Sequence, residues 1–271
     1  MLLWWLYDFG NEPFGFIRNP EPSLVITQSN PYYLLIKSNE MATTISYPDS
    51  DLTNVFLKKT LLICGIISPV LYALMNVFVA MLYSGYDSAS QTVSELSAIG
   101  APTRMLWVVL GVAYTLIVAA FGWGVWLSAT GNRSLRIVGV LIIIYALVSI
   151  FWPFAPMHQR EALAAGMKSM SDTWHLTLAG VTVFIMVAAM GFGAVSFGKG
   201  FRLYSIITIL VLLVFGIFTA LDAPKVEANL PTPWAGVWER INIGVFLLWV
   251  IVLAMASLNM KNVATPTKPH S

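Results

Sequence analysis

Lys58 to Arg104 reads KKTLLICGIISPVLYALMNVFVAMLYSGYDSASQTVSELSAIGAPTR. Two lysines lead into an uncharged run over residues 60–83, and the first acids, Asp87 and Glu95, appear only in the loop that follows. A helix needs about 20 apolar residues to cross the hydrocarbon of a bilayer, where no water can pair an exposed amide or carbonyl. The run therefore reads as a membrane-spanning helix with a basic entry and a mixed, polar exit. The same unit recurs over residues 105–127, 137–154, 173–197, 203–221 and 241–260, none of which contains Asp, Glu, Lys or Arg. Strands of a barrel would alternate polar and apolar residues, and these runs do not. The expected fold class is an all-α membrane protein, a six-transmembrane-helix bundle.

Composition supports this. The chain is 58% hydrophobic and 10% charged, against roughly 25% charged residues in a soluble domain. Its net charge of +2 and lack of a basic run give no footprint for nucleic acid, so the partner is the lipid bilayer. Cys64 is the sole cysteine, which rules out an intrachain disulfide, a CxxC redox pair and a thiolate-rich metal site.

The connections sort by charge. Lys58 and Lys59, Arg133 and Arg136, Lys199 and Arg202, and Lys261 and Lys268 occupy stretches that hold no acid next to the spans. The alternate connections carry Asp87, Glu95 and Arg104; Arg160, Glu161, Lys168 and Asp172; and Asp222, Lys225, Glu227, Glu239 and Arg240. The positive-inside rule then places both termini in the cytoplasm and the three mixed loops outside, in a plasma or inner cell membrane. Trp152, Trp174, Trp234 and Trp238 mark the outer interface, as an aromatic belt does. Ala189 with Gly193, and Gly111 with Thr115, have the small-residue spacing that lets helices approach closely.

Three parts are expected: an extension without packed structure over residues 1–57, the membrane domain over 58–260, and a cytoplasmic tail over 261–271. Pro13, Pro20, Pro22 and Pro31 break any long element near the start. Met41 opens a short polar leader to the first span, and the natural chain is expected to begin there.

In the first outer loop Val93, Leu96 and Ile99 recur at three-residue spacing, which predicts a short helix closed by Gly100 and Pro102. Thr92 and Glu95 have capping-box spacing. The string Ser94-Glu95-Leu96-Ser97-Ala98, followed by Gly100-Ala101-Pro102-Thr103, resembles the membrane family called domain of unknown function 998. Pro156-Met157-His158 and the pair Asp172 and His175 look like that family's other polar signatures. The resemblance covers roughly residues 58–260. It implies a six-helix integral membrane protein and supplies no activity or substrate.

Asp172 and His175 are three apart and share a helix face, with Asp172 placed as an N-cap. His158 follows Pro153 and Pro156, which end the third span. Glu95, His158, Asp172 and His175 form a candidate outer-face cluster of carboxylates and imidazoles. His158, Asp172 and His175 are its candidate ligands for a divalent metal such as zinc or iron. Ser94 and Ser97 are candidate supporting hydroxyls, without the GxSxG pattern of a nucleophile elbow. Thr232 and Pro233 read as a cap and first helical residue, which brings Glu239 and Arg240 to the membrane edge and adds Glu239 to the cluster.

No Asp, Glu, Lys, Arg or His lies in the middle of a span, which argues against transport driven by a buried carboxylate. Two functions remain. One is a binding protein taking a lipid, a small apolar ligand or a partner at its outer mouth. The other is a membrane-embedded, metal-dependent hydrolase acting on lipid through the Glu, Asp and His set.

Overall fold

The computed structural model describes residues 49–260 of the chain. The expectations for residues 1–48 and 261–271 fall outside them. Among the described residues the chain is all helical, without a strand: α1 (Asp49–Leu82), α2 (Arg104–Ser128), α3 (Arg133–Ser149), the short α4 (Arg160–Ala164), α5 (Met170–Ala194), α6 (Lys199–Glu227) and α7 (Ala235–Leu258). Six of these are long and apolar enough to cross a membrane, so the chain is a multi-pass membrane protein with a six-helix bundle.

Most helices outrun their apolar runs. α3 starts at Arg133 because Asn132 caps it, its Oδ1 accepting the Leu135 amide at 3.0 Å. α6 continues past Leu221 to Glu227 through Pro224, with Asp222 and Lys225 paired at 2.7 Å one turn apart. Charged residues at such ends reach water while the helix still satisfies its backbone. α1 begins at Asp49, so the boundary drawn at residue 58 falls inside a helix.

Neighbours in sequence are neighbours in space. α1 packs on α2, α2 on α3, α3 on α5, α5 on α6, α6 on α7, and α7 returns to α1, closing a ring. Its interior is apolar, built around Phe121, Leu135, Ile142, Met190, Trp249 and Leu253. Two of the polar groups there are paired, Trp249 Nε1 donating to Ser205 Oγ at 3.0 Å and Asn242 Nδ2 to the Leu212 carbonyl at 2.6 Å, whereas the buried Ser68 and Ser257 hydroxyls have no hydrogen-bond partner among the described residues.

Close helix approach depends on glycine, though only half as expected. Ala189 is buried, and a Cβ on Gly193 would collide with the Trp249 indole. Gly111 faces open space instead; in α2 the tight positions are Gly122, against the Ile143 backbone at 2.9 Å, and Gly124, against Leu61.

One end of the bundle is closed by the short turns at residues 129–132 and 195–198, tied together by Asn132 Nδ2 donating to the Ser196 carbonyl at 2.8 Å. The other end carries the longer connections at residues 83–103, 150–169 and 228–234. This loop end holds the candidate site.

Candidate functional site

The first loop folds around the 3₁₀ turn Val93–Ser97, where Val93 and Leu96 point into the bundle. The capping box forms: Glu95 Oε2 accepts the Thr92 amide at 2.6 Å and the Thr92 hydroxyl at 2.9 Å. Capping is only half of what Glu95 does. Arg160, from α4 in the second loop, meets it with two parallel bonds, Nε to Oε1 at 2.5 Å and Nη2 to Oε2 at 2.9 Å. The same guanidinium donates to Thr232 Oγ1 at 2.7 Å and to the Ser90 carbonyl at 2.8 Å. One cation thus joins all three loops. Burial works against the charge of Arg160, but the hydrogen bonds and charge of Glu95 outweigh it and raise its pKa above the ordinary arginine value.

A second cation fixes the first loop to α7. Arg240 donates through Nε to Asn76 Oδ1 at 3.0 Å, through Nη1 to the Ser88 and Gln91 carbonyls at 2.8 and 3.1 Å, and through Nη2 to the Tyr86 hydroxyl at 2.7 Å. Tyr86 in turn donates to the Thr92 carbonyl at 2.7 Å. Burial pushes the Tyr86 phenol well up, against the opposing pull of Arg240. Beside it Glu239 accepts from the Val93 amide and, at 3.1 Å, from Ser94 Oγ. Gly236 and Val237 donate their amides to the Ala89 carbonyl at 2.9 and 3.2 Å. Without a Cβ at Gly236 the loop backbone can lie directly on α7; a methyl there would meet the Gln91 carbonyl and the Ser88 carbonyl at 2.5 Å.

The second loop is sewn to the first by the Ile99 amide donating to the Met157 carbonyl at 2.8 Å. Arg104 adds bonds to the Ser97 and Pro153 carbonyls at 2.8 and 3.1 Å. His158 and Asp172 do meet: the Asp172 carboxylate accepts the His158 amide at 2.7 Å and lies 2.8 Å from Nδ1. Asp172 also accepts the Ser169 amide at 2.8 Å, so Ser169 is the N-cap of α5 and Asp172 its third residue, not the cap itself. Ser169 and Asp172 repeat the spacing of Thr92 and Glu95, which is the signal for this box. Thr232 likewise is not the cap of α7. That position falls to Trp234, because the Thr232 hydroxyl is engaged with Arg160 and the Ser90 carbonyl.

The proposed set of Glu95, His158, Asp172, His175 and Glu239 therefore lies at one end of the bundle but divides into separate networks. Glu95 pairs with Arg160, Glu239 holds the first loop, and Asp172 holds His158. His175 turns away: its Nδ1 lies 2.8 Å from the Ala155 carbonyl, and its ring stands edge-on to Trp152 at 5.0 Å. Among the described residues no three His, Cys, Asp or Glu side chains are grouped as metal ligands would be. Ser97 Oγ donates to the Ser94 carbonyl at 3.2 Å and meets neither histidine.

Between the loops opens a cleft of about 250 Å³ lined by residues 83–85, Gln91, Glu95 and residues 159–161. The Glu95–Arg160 pair forms its charged wall. Gln159 Nε2 donates to the Tyr83 hydroxyl at 2.9 Å across it. Arg160, Thr232, Tyr86 and Asn76 were not anticipated as parts of this site. A buried carboxylate calls for a cation, but the loops offer several, and only the fold selects Arg160.

Residues 66–256 match the family described as "Protein of unknown function (DUF998)". No curated protein and no solved structure matches the chain.

Proposed function

The chain belongs to the family described as protein of unknown function (DUF998), and from that premise we propose that it is a membrane binding protein whose loop-end cleft receives a small polar molecule or headgroup. In this reading both termini face the cytoplasm and the cleft opens on the other side of a plasma or inner membrane. Support for the orientation comes from the turns at residues 129–132 and 195–198, flanked by Arg133, Arg136, Lys199 and Arg202 with no acid.

The observation that carries the binding reading is the cleft itself: a space of about 250 Å³ with walls held by cross-loop hydrogen bonds. Preformed polar walls bind without a large ordering cost. Glu95 and Arg160 neutralise each other, while the exposed Glu161 has no ion pair among the described residues. The cleft is thus net negative and suits a ligand with an ammonium group or hydroxyls, rather than an anion. The hydrolase reading draws less support, because Glu95 and Asp172 already engage their carboxylates with protein donors and, among the described residues, no three candidate ligands are grouped.

Thermal-shift measurements on the purified full chain in nanodiscs test this with ethanolamine, choline, glycerol and inorganic phosphate. Ammonium or hydroxyl probes are expected to protect the wild type and lose that protection in Glu161→Gln and in Ser84→Trp, which adds bulk to the lining of the cleft. Protection by phosphate alone, or protection unchanged in both variants, would refute it.

A further inference from the structure

At the opposite end of the bundle a second, larger groove runs along α2 and α3, about 610 Å³ in volume. Its upper part is basic and its lower part apolar. Arg133 and Arg136 stand at the start of α3, followed by Ile137, Val140 and Leu141 at helical spacing on the same face, with Trp126 of α2 as the facing wall. We infer that this groove is a binding site for an anionic phospholipid, its phosphate held by Arg133 and Arg136 and the head of an acyl chain lying along Ile137 and Val140.

Four observations carry the inference. First, both arginines are exposed, and neither has an ion pair or side-chain hydrogen bond among the described residues. That differs from Arg104, Arg160 and Arg240 at the loop end, each of which donates two or more hydrogen bonds to other parts of the chain. Second, no acid lies in the adjoining turns, so no carboxylate close in sequence competes with an anion for them. Third, the polarity order matches an amphiphile. The stripe from Arg133 to Leu141 spans roughly 12 Å at 1.5 Å per residue, enough for a phosphate and the first carbons of a chain, and it passes from charged to apolar in the direction of the bilayer centre. Fourth, the wall is preformed. Arg136 lies over the Trp126 ring at 5.9 Å, Trp126 stacks on Trp123 at 5.0 Å, and the turn between α2 and α3 is anchored by Asn132 to the Ser196 carbonyl. A guanidinium held over an indole keeps its edge donors free for phosphate oxygens. Basic clefts between spans at a membrane surface are suited to anionic headgroups on these grounds.

The groove is remote from the loop-end cleft, and its occupancy stands or falls apart from that proposal. Native mass spectrometry of the full chain released from detergent, with added phosphatidylglycerol or phosphatidylcholine, tests it. Each arginine near the surface contributes about fivefold in affinity for an anionic lipid. Wild type is therefore expected to hold phosphatidylglycerol over phosphatidylcholine by an order of magnitude. Arg133→Gln with Arg136→Gln is expected to abolish that preference, and Lys199→Gln, on the same face outside the groove, to leave it intact. Val140→Trp fills the apolar part at an exposed position while keeping both charges, and it is expected to lower occupancy by either lipid at least fivefold. Phosphatidylglycerol preference that survives the double substitution overturns the inference. So does full binding in Val140→Trp, since the arginines would then be recognising phosphate without a seated chain.

Discussion

Replacing Arg160 by Met should open the loop end while leaving the bundle helical. Arg160 and Glu95 are 9% and 3% exposed, so solvent screens their attraction little. The substitution deletes four hydrogen bonds, two to Glu95 and one each to Thr232 and the Ser90 carbonyl. It leaves a buried carboxylate whose remaining donors are the Thr92 amide and hydroxyl and, at 3.4 Å, Gln91 Nε2. Breaking a buried pair from one side costs about 3–5 kcal/mol, most of it the stranded charge. Neutralising the partner as well should recover part of that cost, so Glu95→Gln with Arg160→Met is expected to be more stable than Arg160→Met alone by about 1–2 kcal/mol. The exposed Lys168–Glu227 pair, which ties the second loop to the end of α6, provides the contrast: Lys168→Ala should cost under about 1 kcal/mol. Hydrogen exchange reads the effect directly. In Arg160→Met the amides of residues 95–98 should exchange roughly a hundredfold faster or more, the equivalent of about 3 kcal/mol, while those within α3 and α5 hold their protection. Equal exchange in wild type and Arg160→Met, or strict additivity of the two substitutions, would refute the argument that one buried ion pair closes the loops.

Three further outcomes follow from the same geometry. Gly236→Ala should cost about 1–3 kcal/mol, as overpacking does, because its methyl would press on the Gln91 and Ser88 carbonyls; an unchanged thermal midpoint would show that the loop backbone yields. The raised Tyr86 pKa favours the neutral phenol in the folded state. Its stabilising contribution is therefore complete below the unfolded value of about 10 and fades as pH rises through the higher folded value; Tyr86→Phe should be less stable at neutral pH and show a shallower alkaline loss, and identical alkaline slopes would contradict this. For orientation, Ser88→Cys and Thr130→Cys in a Cys64→Ala background should be labelled from opposite sides, with Ser88 reached by impermeant reagents applied outside whole cells; labelling of Thr130 by the same reagents would reverse the topology.

The spans were legible because the bilayer imposes one rule on every residue in them: no unpaired backbone and no charge. Where water takes over, that rule lapses, which is why the ends of α1, α3 and α6 ran past their apolar limits. Local signals at the loop end were legible in part: the capping box of Thr92 and Glu95 reads correctly, while the caps assigned to Asp172 and Thr232 fall to Ser169 and Trp234. The turn Val93–Ser97 forms over the first two apolar positions of the three-residue spacing but stops short of Ile99, which lies outside it and exposed. Partners distant in sequence did not announce themselves. Arg160 lies 65 residues from Glu95 and Arg240 lies 164 from Asn76, and nothing in their flanking residues says which carboxylate or amide each will meet. His175 shows the limit of helix spacing: it shares a helix face with Asp172, yet the contacts its ring makes, with the Ala155 carbonyl and Trp152, are set by the second loop.

The two ends of the bundle differ in how their arginines are spent, and that contrast bears on where ligands can act. At the loop end every arginine is committed to carbonyls, hydroxyls or Glu95, so the guanidinium charge is internal structure and the cleft it borders carries a net acid, Glu161. At the turn end Arg133 and Arg136 have no ion pair or side-chain hydrogen bond among the described residues and border an apolar stripe, Arg136 lying over Trp126. A single rule produces both arrangements. Long loops supply many carbonyls to a desolvated guanidinium and four-residue turns few: beside the turn at residues 195–198 Arg202 makes one long bond, to the Ala194 carbonyl at 3.4 Å, and beside the turn at residues 129–132 Arg133 and Arg136 have no side-chain hydrogen bond among the described residues. The bilayer surface supplies such anions as phosphodiesters, so the turn end is suited to hold lipid, whereas the rigid loop end is left to select by shape and hydrogen bonding.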